Sequence, residues 1–212
     1  MSSWADQIEE DLKWREAELG SLKIQAAAAP CKSDRQRALL RALWTMLYAH
    51  YEGFSKFCWD ILLDQIEKDG CARCDAMDYI ARLSLAKVFQ EFRKDTSPDG
   101  IWSFVRATFP AEMSQPVIFE SRLETRSNLW PNLARENNEA VGLSTSQISA
   151  YEKQLSALVG RRNEIAHGRK LVVESLDEYA EYEKAVMLVL HELAVSVVNT
   201  LDARSFAQTA NP

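Results

Sequence analysis

The 212-residue chain is short of the residues that punctuate β-rich folds, with 7 glycines and 6 prolines. A sandwich or barrel of this length needs frequent turns, so the scarcity points to an all-α fold with long helices. Positive charge is scarce as well. Lys and Arg number 25 against 31 Asp and Glu, a formal net charge of −6, which disfavours a protein that coats duplex phosphates with a broad basic face. A small basic pocket for isolated phosphates stays open. No uncharged apolar run approaches the roughly 18 residues that span a bilayer. The N-terminus, Met1-Ser-Ser-Trp-Ala-Asp6, turns acidic before a signal-peptide core can form. The expected compartment is therefore the cytoplasm, with no membrane partner and no disulfide framework. Of the cysteines Cys31, Cys58, Cys71 and Cys74, the last two have the spacing of half a zinc site. Without a second pair or a nearby histidine four ligands are not reached, so the reading is a loop with two thiols, no metal and no other cofactor.

The composition, 47% hydrophobic and 26% charged, is that of a globular protein, and the length suits one domain over residues 1–212. The pattern predicts about five to seven helices, one of them long and central. Residues 1–30 hold an N-terminal surface helix from Trp4 to Ala28, with Ser3 and Asp6 as a capping box. Ser33 or Asp34 opens a second helix that ends before Gly70. It is apolar nearly all round, with Leu39, Leu43, Leu47, Phe54, Phe57 and Ile61 on one stripe and Trp44, Tyr48, Ser55 and Trp59 on another, as suits a central helix. A third helix is expected from Asp75 to about Lys94, and 96–100 is read as a turn. Pro110 and Pro116 interrupt the next stretch, so 101–127 is read as a mostly irregular insertion. A short helix over about 128–141 precedes one capped by Ser144 or Ser146 and ending near His167. Ser175 and Glu178 form the capping box of a last helix to about Leu201, and 202–212 is a tail.

The chain is organised around Leu158-Val-Gly-Arg161-Arg162-Asn163-Glu-Ile-Ala-His167-Gly168. Ile148, Tyr151, Leu155 and Leu158 form one helical stripe, and the next positions on it are Arg162 and Ile165. A charge on a core-facing stripe is costly unless it is paired or faces a site. Glu52, a carboxylate among the aromatics of the central helix, is a candidate partner. His50, two residues earlier, reads either as a hydrogen-bonded core histidine or as a supporting site residue. Gly53 in mid-helix costs close to 1 kcal/mol against Ala, which suggests close approach to the backbone. Asn163 and His167, four apart, share a face, whereas Arg162 and His167 point about 140° apart at ~100° per residue. A helix C-terminus favours a protonated imidazole. Arg161, Arg162, Arg169 and Lys170 make a dense local cluster of positive charge suited to a phosphate.

Arg162-Asn163-Glu164-Ile165-Ala166-His167 resembles the R-x4-6-H signature of HEPN domains. With Ala49-His-Tyr-Glu-Gly-Phe54 it looks like a bacterial subgroup of predicted nucleases tied to defence or toxin–antitoxin systems. The resemblance implies a helical bundle that dimerises so that two motifs face each other, forming a metal-independent endoribonuclease. It implies that His167 moves the proton of the RNA 2′-hydroxyl or of the leaving 5′-oxygen, that Arg162 holds the scissile phosphate, and that Asn163 positions phosphate or imidazole. Arg161, Arg169 and Lys170 would bind flanking RNA phosphate, with Glu52 and His50 in support. The expected partners are a second copy, RNA, and a cognate antitoxin or defence protein. The alternative is a non-catalytic helical module of the same family that binds RNA or a partner protein.

Overall fold

In the computed structural model, which describes residues 3–169, 173 and 175–208, the long central helix is α2, Asp34–Asp69. Ser33 caps it by accepting the Gln36 N–H, and Gly70 ends it at φ 75. Both ends therefore follow from the side chains that satisfy or release the orphan backbone groups. Its apolar content on all sides finds partners on all sides: Leu43, Trp44, Leu47, Tyr48, Tyr51, Phe54, Trp59 and Leu62 are all buried. Helix α1, Trp4–Ala28, packs along it through Ile8, Leu12 and Leu19, and the capping box of Ser3 and Asp6 is complete.

The rest of the chain folds as α3 (Asp78–Ser84), α4 (Ala86–Phe92), α5 (Pro98–Ser103), α6 (Phe109–Met113), α7 (Pro131–Ala140), α8 (Ser146–Ala150), α9 (Glu152–Ala166) and α10 (Leu176–Asp202). The fold is all-α. Among the described residues there is no strand, only isolated bridges at Ala72–Pro116 and Ala76–Ala207. Helix α10 is long and apolar enough by composition to span a bilayer. Here it packs against α1, α2, α8 and α9.

Four boundaries differ from the sequence reading. The third predicted helix breaks at Leu85 (φ −93, ψ 5) into α3 and α4. The helix carrying Arg162 breaks at Tyr151 (φ −111, ψ 22), so α8 and α9 replace one longer element. Residues 101–113 are helical where an irregular insertion is expected. Ser97 caps α5 with Pro98 in its first turn, and Phe104–Thr108 forms a wide π-turn in which Phe109 N–H bonds Phe104 C=O. The helix widens just before Pro110, which has no N–H to donate. Residues 114–127 are irregular. The C-terminal segment is also docked as far as it is described: Phe206 is buried, Met77 N–H bonds its carbonyl at 2.8 Å, and Gln208 N–H bonds Asp75 C=O at 2.7 Å.

Candidate functional site

Helix α9 is anchored to the bundle by Leu155, Leu158 and Val159, all fully buried. Trp44 Nε1–H donates to Leu158 C=O at 3.2 Å, fixing α9 on α2. The helix stops through a Schellman motif. Gly168 lies at φ 74, its N–H bonds Ile165 C=O at 3.1 Å, and Arg169 N–H bonds Glu164 C=O at 2.9 Å. Glycine takes this left-handed conformation without a Cβ penalty. His167 is consequently the C-cap residue, exposed, with its own N–H on Asn163 C=O at 2.9 Å. Arg41 Nη1 of α2 donates to Arg169 C=O at 2.9 Å and ties down the turn.

Arg162 sits half-buried at the margin of the stripe. Its Nη1 donates to Asn128 Oδ1 at 3.0 Å and to Asn163 Oδ1 at 2.9 Å, and its guanidinium lies 4.4 Å from the centre of the Tyr48 ring. The expected pairing with Glu52 is not formed. Among the described residues no ion pair joins the two, and Glu52 lies beside the Tyr48 hydroxyl instead. That hydroxyl accepts the Leu129 N–H at 3.0 Å. Burial, opposed by this hydrogen bond and reinforced by Glu52, pushes the Tyr48 phenol up to about 12. An aromatic face and two amide oxygens thus stabilise the arginine on its apolar stripe, and among the described residues no carboxylate cancels its charge.

The other candidates separate. Asn163 and His167 occupy the same end of α9 as Arg162, and Arg169 is exposed there with a loose 3.4 Å contact to Glu164. Arg161 is engaged elsewhere: it pairs with Glu178 and lies over the touching rings of Trp44 (4.7 Å) and Tyr182 (5.3 Å). Lys170 lies outside the described residues. His50 belongs to a different cluster, in the seam of α1 and α2. Its Nδ1 is 3.3 Å from Arg15 Nη1, and its Nε2 is 2.9 Å from Glu18 Oε2, off the line a hydrogen bond requires. Burial first, and Arg15 second, lower its pKa against the pull of Glu18. Arg15 is also the group that approaches Gly53, where an added Cβ would stand 3.1 Å from its Nη1.

Asn128 is the member of the site that the sequence reading did not single out. It lies 34 residues from Arg162, and no local pattern marks it as a site residue. Tyr48 is visible in the sequence only as one position of an aromatic stripe. Cys71 is buried and Cys74 is exposed, its thiol 3.6 Å from Asp75 Oδ1. Among the described residues no three or more His, Cys, Asp or Glu side chains are grouped to hold a metal.

A family model for the MAE_28990-like HEPN domain matches residues 4–206, spanning both the aromatic central helix and the α9 motif. The chain belongs to the HEPN family. No curated protein and no solved structure matches it. Membership supports a HEPN-module or nuclease-like function in general, and in this HEPN chain the R-x4-H motif falls on the helix end that carries Arg162, Asn163 and His167.

Proposed function

We propose that this HEPN protein is a metal-independent endoribonuclease that cuts RNA at a composite site between two copies, as a toxin or anti-phage effector held in check by a partner protein. The observation that carries the reading is the state of Arg162. Its guanidinium is oriented by Asn128, Asn163 and Tyr48 and, among the described residues, is not neutralised by a carboxylate, beside a helix end that presents an exposed histidine.

In this mechanism the RNA 2′-oxygen attacks the adjacent phosphorus and gives its proton to a neutral imidazole. The bond to the 5′-oxygen breaks, and that oxygen takes a proton from a protonated imidazole. The products are a 2′,3′-cyclic phosphate and a 5′-hydroxyl end. Arg162 offsets charge on the non-bridging oxygens as it develops. Asn163, whose carbonyl oxygen is occupied by Arg162, has its amide N–H groups left to donate. Base and acid together ask for two histidines, and each chain offers one His167, hence the homodimer.

Purified protein is incubated with RNA in EDTA, and the ends of the products are identified. Wild type is expected to cut and to leave cyclic phosphate, with His167→Ala slower by about 100-fold or more. Absence of cutting by wild type, or equal cutting by the variant, overturns the assignment. Tight RNA or protein binding without cutting would indicate the non-catalytic module instead. Disulfide cross-linking of a His167→Cys variant across a dimer tests the composite arrangement separately.

A further inference from the structure

The irregular segment 114–130 runs back along α2 towards the motif. Phe119 N–H bonds Glu67 Oε1 at 2.7 Å, Arg122 pairs with Asp64 at 2.8 Å, and further on Leu129 N–H reaches the Tyr48 hydroxyl. Between these anchors Leu123 is buried in the core while the polar side chains beside it face outward. A cleft of about 370 Å³ opens there, lined by Lys56, Arg122, Leu123, Glu124, Thr125 and Arg126. Three of those side chains are cationic and one is anionic, a local reversal of the chain's net charge of −6.

Two of the cations form no ion pair among the described residues, although Lys56 acts through space on Asp60, one helical turn further along α2. Arg122 is committed to Asp64 and Glu67. Lys56 and Arg126 are exposed, and among the described residues no carboxylate lies within ion-pair distance of either. Arg126 is also held at φ 53, a left-handed conformation that a non-glycine residue adopts at a cost. Both positions connect directly to the motif. Lys56 follows Tyr48 and Glu52 on the same face of α2, about 12 Å along the axis from Tyr48. Arg126 precedes by two residues the Asn128 that orients Arg162.

We propose that this cleft is a second phosphate site, in which Lys56 and Arg126 hold a backbone phosphate of the single RNA strand whose scissile phosphate lies at Arg162. The inference rests on the nuclease reading and extends it. The substrate is then a strand of several nucleotides in extended form, since the second site is removed from the first along α2. Phosphate contacts of this kind set register and affinity without reading bases.

The test uses the full chain carrying His167→Ala, so that RNA is bound and not cut. Fluorescence anisotropy is followed against salt for a dinucleotide and for a longer single-stranded oligonucleotide. Adding Lys56→Ala and Arg126→Ala is expected to raise the Kd for the longer RNA several-fold and to lower the salt slope by about 0.7. Dinucleotide binding and the melting temperature should not move. Arg126→Glu alone should weaken the longer RNA in the same direction. Unchanged affinity and slope for the longer RNA overturn the second site, while cutting by wild type would leave the nuclease reading standing. Failure of the wild type to bind or cut any RNA overturns both.

Discussion

The molecule contains two arginine–histidine clusters, and they have opposite fates. In the seam of α1 and α2, Arg15 is neutralised by Asp11 at 2.6 Å and packs over Trp14, while His50 is 2% exposed and flanked by Arg15 and Glu18. At the end of α9, Arg162 is held by amide oxygens and a tyrosine ring, and His167 is open to solvent. The residue types are the same. What differs is the counter-charge. A carboxylate within reach makes the first cluster a structural element, and neutral ligands leave the second with a charge to offer to an anion.

The comparison breaks most visibly if Arg15 is removed. Arg15→Ala leaves Asp11 with the Trp14 Nε1–H as its remaining side-chain donor and Glu18 beside a histidine without its neighbour, and should destabilise the fold by about 3 kcal/mol. Urea unfolding reads that loss, and RNA cleavage by the folded fraction should keep its rate. A fall in cleavage comparable to that of His167→Ala would mean the two clusters are not functionally separate. A smaller effect sharpens the contrast through pH. The pKa of His50 is lowered in the folded protein by burial and by Arg15, so the unfolded chain binds the proton more readily. Stability therefore holds above about pH 6.5 and falls as pH drops below it. His50→Gln should remove that part of the slope in urea titrations between about pH 5 and 7. The smallest effect concerns Gly53. A methyl there gains about 1 kcal/mol of helix propensity but crowds the pinned Arg15 guanidinium. In the parent these oppose each other. In an Arg15→Ala background Gly53→Ala should stabilise by about 0.5–1 kcal/mol, and a double-mutant cycle that shows no coupling would contradict the contact.

Where a side chain closes its own local loop, the sequence was readable. Ser3, Ser33 and Ser175 start helices, Gly70 and Gly168 end them, and the ends of α1, α2 and α10 follow within a residue. The reading failed where tertiary contacts decide. Pro98, inside the expected 96–100 turn, and Pro110, an expected break, both sit in first helical turns, the second after a π-turn whose Phe104 packs on Phe89 and Phe92. Phe206 turns an expected tail into a docked one. In the site, the α9 end with Arg162, Asn163 and His167 was legible because a misplaced charge stands out on an apolar stripe. The ligand of that charge was not. Opposite charge suggests Glu52, yet the bundle delivers Asn128, which the sequence marks only as the start of a short helix and the structure leaves ahead of α7.

Gly168 acts as a ruler. By turning left-handed immediately after the C-cap His167, it fixes where α9 stops relative to Arg162 and at what bearing the imidazole leaves the helix. One residue added inside the helix between them would turn the histidine by about 100° and carry it about 1.5 Å along the axis. His167 itself sits at the C-cap, at φ −85 and ψ 13, where the chain leaves the regular helix. The aim of the imidazole relative to Arg162 is therefore set by where this turn falls, and moving the glycine would re-aim the histidine.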